Sequence, residues 1–223
     1  MAKKLFEEVD DLDVNGMILQ VEASFGIHFG LHELEHVATF GEFCDIVLAK
    51  LPQAEANNCT SQQAFYKLRR AFARHLPAAV LMPATPLKSI LPHADAERKH
   101  LMHFVETELG FTLRIFGISD AATTAVFSAF VVSFITLFIN WHLGVVGLLF
   151  SFAGAGVAAE FFDNALRIKT VKDMVEQMVR ENYAKSRRNP ATVNRSEIIE
   201  QIKALFKNQF GFESSDLTRD ACF

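Results

Sequence analysis

No charged residue stands between Asp120 and Glu160. That gap excludes an ordinary amphipathic surface helix, which needs charged or polar residues along its solvent side. Cysteine is scarce: Cys44, Cys59 and Cys222 are three in 223 residues. Their odd number and unpaired spacing argue against a disulfide framework and for a reducing compartment. Neither sign of charge dominates, since 22 Lys and Arg face 26 Asp and Glu for a net charge of −4. Composition therefore offers no argument for nucleic-acid binding. The opening MAKKLFEEVDDLD has no apolar run behind its two lysines, so it does not read as a signal peptide. There is no Gly-rich phosphate loop, no Gly-x-Ser-x-Gly motif and no strand pattern of any length.

What fills the charge-free gap is apolar. The runs 121–139 and 143–159 each approach the ~20 residues a helix needs to cross ~30 Å of hydrocarbon. Asn140, a turn former, Trp141, which favours a membrane–water interface, and His142 separate them. The expectation is a two-helix transmembrane hairpin over 120–160, in a multi-pass protein anchored in a lipid bilayer. Arg114, Arg167, Lys169 and Lys172 flank it as basic residues for a membrane surface, while the turn carries no Lys or Arg. That bias places both termini in the cytoplasm. Ala125, Ala129 and Ser133, and Gly147, Ser151 and Ala155, form small-residue stripes at spacing four, where helix backbones approach closely. His142 is the sole ionisable residue of the spans, which argues against a transport path.

The remainder reads as all-α. Leu12, Met17, Ile18, Val21 and Phe25 follow helical spacing. Thr39 with Glu42, and Thr170 with Asp173, place a capping-box pattern before two apolar-periodic runs, VATFGEFCDIVL and IKTVKDMVEQMV. Further helices are expected over 61–75, over 95–109 with Gly110 as the stop, and over 196–210 with Gly211 as the stop. Pro77 to Pro92 reads mostly as loop, and 183–195 as a basic linker around Pro190.

Two segments share a plan. VDDLDVNGMILQVEASFGIHF and HADAERKHLMHFVETELGFTL each start acidic and end in Glu-x-x-Phe/Leu-Gly before apolar residues. Both resemble the second helix and following loop of acyl carrier proteins. The Thr-capped runs resemble the last helix of that fold, and 61–92 and 196–223 its first helix and long loop. The resemblance implies two carrier-like helical bundles. One joins 60–113 to 163–182 around the inserted hairpin. The other is circularly permuted and joins 6–51 to 196–223. It also implies that Asp11 and Asp95 stand where the family's phosphopantetheine serine would be, so no prosthetic group or other cofactor is expected. The stretch Cys59 to Arg70 resembles one shared by bacterial membrane proteins, which implies a bacterial inner (cytoplasmic) membrane and transfers no activity.

The remaining constellations carry competing chemistry. His32-Glu33-Leu34-Glu35-His36 matches H-E-x-x-H, in which two histidines on one helix face bind zinc and the glutamate acts as general base. His100 and His103 sit at a spacing that allows a shared metal. Lys67, Arg69, Arg70 and Arg74, and Lys185, Arg187, Arg188 and Arg195, are two basic clusters suited to anionic headgroups or to plain solvation. The acidic group Glu7, Glu8, Asp10, Asp11 and Asp13 suits a helix start. Cys44, on an apolar-periodic run, reads as a core thiol. These readings point to a non-enzymatic, membrane-anchored helical scaffold or adaptor. It would bind a protein partner at the cytoplasmic face, with a second copy of the chain as a further partner. The alternative is a membrane-anchored zinc hydrolase using His32, Glu33 and His36.

Overall fold

The structure is a computed structural model that describes residues 11–76, 81–117, 120–161 and 165–222, without the side chains of 11, 120–122 and 157–161. Of the acidic group, Glu7, Glu8 and Asp10 lie outside the described residues. The chain is mostly helical, in agreement with the all-α expectation, and its strands are two residues long.

Helix α1, Asp11–Phe25, buries Met17, Val21 and Phe25. It stops at Gly26 (φ 66°), whose N–H returns to Glu22 O at 2.8 Å while Ile27 N–H shares that carbonyl at 3.2 Å. Only glycine takes this left-handed backbone freely, so the helix ends there. Helix α2, Phe40–Lys50, has the expected capping box: Thr39 Oγ1 accepts from Glu42 N–H, and Glu42 accepts from the N–H groups of Ala38 and Thr39. Those two donors hold the Glu42 carboxyl below its ordinary value. Their stabilisation is present at neutral pH and is lost as pH falls through that lowered value. Strand β1, Ala54–Glu55, leads to α3, Thr60–His75, then to the single turn α4, Leu87–Ile90, and to α5, Asp95–Leu109. Helix α5 repeats the ending of α1: Gly110 (φ 77°) and Phe111 donate to Glu106 O at 2.8 and 3.3 Å.

Strand β2, Phe116–Gly117, precedes the long helices α6, Asp120–Ile139, and α7, Trp141–Phe161. Strand β3, Ala165–Leu166, pairs antiparallel with β2 and closes the base of this hairpin. Helix α8, Val171–Glu181, repeats the start of α2: Thr170 Oγ1 accepts from Asp173 N–H, and Asp173 accepts from Thr170 N–H and Lys169 N–H. The single turn α9, Tyr183–Ser186, strand β4, Thr192–Val193, and α10, Arg195–Phe210, complete the elements. Strand β4 pairs parallel with β1, and Gly211 (φ 72°) ends α10.

Two compact units result. One comprises Met1–Pro83, Met102–Thr112 and Val175–Phe223; the other comprises Ala84–Leu101 and Leu113–Met174. In the first, α10 packs against α1 and α2, and α9 packs against α3 and α1. Phe40, Phe43 and Phe206 meet edge-on with centroids 5.3 and 5.6 Å apart, a geometry that aligns ring edge with ring face. The chain's last described residues strap the start of α2. Phe40 N–H donates to Ala221 O at 2.8 Å and Gly41 N–H to Arg219 O at 2.9 Å. In the second unit Val171 N–H donates to Thr85 O at 3.0 Å, the same kind of strap at the start of α8.

The stretch expected to be a basic linker is packed instead. Tyr183, Ser186 and Arg187 are buried. The Tyr183 ring lies against Phe25 with centroids 5.3 Å apart, and its hydroxyl accepts from Asn194 N–H at 3.2 Å.

The expected transmembrane hairpin is corrected. Among the described residues no helix is long and apolar enough to cross a membrane. The placement as a multi-pass protein of a bacterial inner membrane with both termini cytoplasmic, and the membrane anchoring that went with it, are therefore withdrawn.

Gly41 tests the strap. A Cβ there would stand 2.7 Å from Arg219 O, a backbone atom that cannot step aside cheaply. Gly41→Ala should lower stability by about 1–3 kcal/mol, read by denaturant unfolding, and should speed proteolysis within 211–222.

Candidate functional site

The hairpin exposes what most folds bury. Phe127, Val132, Phe134, Ile135, Phe138 and Ile139 on α6 are exposed, as are Trp141, Leu143, Leu149, Phe150 and Phe152 on α7. Phe138 is 81% exposed and Phe150 74%, so these rings contribute almost no burial within the chain. A helix apolar on all faces is normally surrounded by apolar neighbours, and a contiguous apolar patch of this kind marks an interaction surface.

The two helices meet through small residues, though not all of those expected. A Cβ on Gly147 would lie 2.7 Å from Ser133 Oγ, and one on Gly144 would lie 2.5 Å from the Leu137 backbone. Ser133 Oγ is 3.3 Å from Ser151 Oγ, and each hydroxyl also donates to the carbonyl four residues back in its own helix. Ser133, Gly147, Ser151 and half-buried Ala155 thus line the contact. Ala125 and Ala129 are exposed, and Val126 and Phe130 are the less exposed neighbours. Spacing four drifts off a contact seam that follows 3.5 residues per turn, so the stripe on α6 begins on the seam at Ser133 and leaves it toward Ala125. Arg114, Arg167, Lys169 and Lys172, all exposed, belong to the same unit. The Arg167 guanidinium lies across Gly117, where a Cβ would collide with it.

The zinc pattern is not built. Residues 31–36 form turns, and His32 has a left-handed backbone with φ 70°. His32 and His36 therefore do not share a helix face. His32 Nδ1 pairs with Glu35. Glu33 is paired with Lys50 at 2.8 Å and accepts from Gly30 N–H at 2.7 Å, which together hold its carboxyl below the usual range. A general base needs the opposite tuning. Among the described residues no group of three or more His, Cys, Asp or Glu is placed to hold a metal, and this covers His100 and His103. Asp95 opens α5 and pairs with Arg98, and Asp11 opens α1.

Cys44 is buried at 1% exposure, and burial pushes its thiol up to about 12. Cys59 is exposed. Alkylation with iodoacetamide at pH 8 should label Cys59 within minutes and spare Cys44 until the chain is unfolded, since the thiolate is the reactive form. Peptide mass mapping gives the readout.

Sequence reasoning missed Arg187 as a structural residue. It is 2% exposed. One terminal nitrogen donates to Thr60 Oγ1 at 2.6 Å, Asn58 O at 3.4 Å and Tyr183 Oη at 3.4 Å. The other donates to Ala56 O at 3.1 Å and Thr192 Oγ1 at 3.5 Å. Glu197 lies 3.9 Å away and accepts from Thr60 N–H and its hydroxyl. The available signal was the Tyr183–Arg187 spacing of four, which stacks the guanidinium near the Tyr183 ring at 5.8 Å. Arg187→Met should cost about 3 kcal/mol or more by leaving Glu197 without its cation. Arg187→Met/Glu197→Gln should recover part of that loss in denaturant unfolding.

Compared with known protein families, characterised proteins and solved structures, the chain shows no significant match.

Proposed function

We propose that this protein is a non-enzymatic helical adaptor that binds a protein partner through the exposed hairpin α6–α7. One observation carries the reading: two long helices expose large apolar side chains while the rest of the chain packs a buried core. The exposed Arg114, Arg167, Lys169 and Lys172 of the same unit suit a partner with an acidic rim around its apolar groove.

We read the helical framework as two carrier-like bundles, one permuted. The matched endings of α1 and α5, the matched caps of α2 and α8, and the matched straps at their starts support this. The packing of α10 on α1 and α2 is what a permuted bundle requires. Asp11 and Asp95 have no hydroxyl to modify, so the bundles serve as docking surfaces rather than acyl carriers. The hydrolase alternative finds no support in the turn at 31–36.

Phe138→Glu/Phe150→Glu tests the adaptor reading. Both side chains are exposed, so helix content by circular dichroism should stay unchanged. Crosslinked partners recovered from native cells should fall by about tenfold or more, as expected when two apolar anchors become charged. Unchanged recovery would refute the reading. Flotation of the protein alone with lipid vesicles, lost in the variant, would reassign the surface from a protein to lipid contact.

A further inference from the structure

The two basic clusters of the sequence converge on one cavity. Lys67, Arg70 and Arg74 of α3 and Arg187 and Arg188 after α9 line a space of about 240 Å³, together with Gln63 and Glu108. The charge there is not balanced within the chain. Five cations meet two carboxylates: Glu108, paired with Arg74, and Glu197, at 3.9 Å from Arg187. Burial first, and then the nearby Arg70 and Lys185, push the Lys67 ammonium below its ordinary range. Two polar atoms on lining residues are buried with no hydrogen-bond partner, Gln63 Nε2 and Arg187 Nε. Gln63 is oriented by its other end, since Oε1 accepts from Arg188 N–H at 2.8 Å, which leaves the amide N–H₂ with protons to give. Unsatisfied buried donors are costly and call for an acceptor.

We propose that this cavity binds the phosphate group of a small, soluble phosphate monoester. Guanidinium groups match phosphate oxygens in paired, charge-assisted hydrogen bonds. A cleft lined by one sign of charge concentrates the opposite ion. A dianion offsets the excess positive charge of the lining ammonium and guanidinium groups. The volume lies below the ~300–1,000 Å³ of sites for drug-sized ligands, and it suits a phosphate group carrying a few carbons. This site is independent of the hairpin.

Calorimetric titration of the full chain with glycerol 3-phosphate, in non-ionic detergent, tests the proposal. Saturable binding is expected, with inorganic phosphate competing. Arg70→Gln/Arg188→Gln removes two exposed lining cations and should weaken binding about tenfold or more, the scale of a lost charged hydrogen bond. Arg69→Gln, on the same helix but outside the cavity lining, should leave it unchanged. Absence of binding by the intact chain, or equal weakening by Arg69→Gln, would overturn the site. Binding seen only with phosphatidate-containing vesicles, or only with a phosphoserine peptide, would overturn its assignment to a small soluble ester.

Discussion

A single buried cation fastens four separate stretches of the chain. Arg187 reaches the carbonyls of Ala56 and Asn58, the hydroxyl of Thr60 at the start of α3, the Tyr183 hydroxyl in α9 and the Thr192 hydroxyl in β4. Glu197, in the first turn of α10, completes the set by holding Thr60. An isolated charge in that position would be strongly disfavoured, and it persists because its partners are all in place at once. The short β1–β4 pairing lies beside it and depends on the same register. Arg187 thereby specifies where α3, α9 and α10 stand, a task apolar packing alone performs less selectively.

The hairpin follows a different rule. Its two helices approach closely at Gly144, which faces the Leu137 backbone, and at Gly147, which faces the Ser133 side chain, and they place their bulky residues outward. Close backbone approach secures the pair internally, so its large rings are left for contacts made elsewhere. The first unit does the reverse, turning Phe40, Phe72 and Phe206 inward.

Much of the helical plan was legible because it rests on local chemistry. Gly26, Gly110 and Gly211 stop helices through backbone freedom that glycine alone has at low cost, and Thr39 and Thr170 start them through hydrogen bonds three residues long. What was not legible depends on contacts distant in sequence. The basic appearance of 183–195 hid Arg187, whose partners lie 127 and 131 positions away at Thr60 and Ala56. Equally, H-E-x-x-H names residues but not backbone, and the positive φ at His32 cancels the helix the motif needs. Hydropathy identified the apolar runs, yet among the described residues no helix is long and apolar enough to cross a membrane. The stripe at Ala125 and Ala129 followed residue size, whereas the observed contact follows helical phase.

The strap at the start of α2 also sets a schedule for synthesis. Helices α1 and α2 are made well before their partners Gln209, Arg219 and Ala221, and Gln20 and Gln209 are separated by 189 positions. A chain emerging from the ribosome cannot close its first unit until residues 209–221 are free, and closing so long a loop is slow. Until then α1 and α2 must wait incomplete while the apolar hairpin emerges. The interval between those two events is when this protein is most exposed to misassembly and most dependent on whatever receives it.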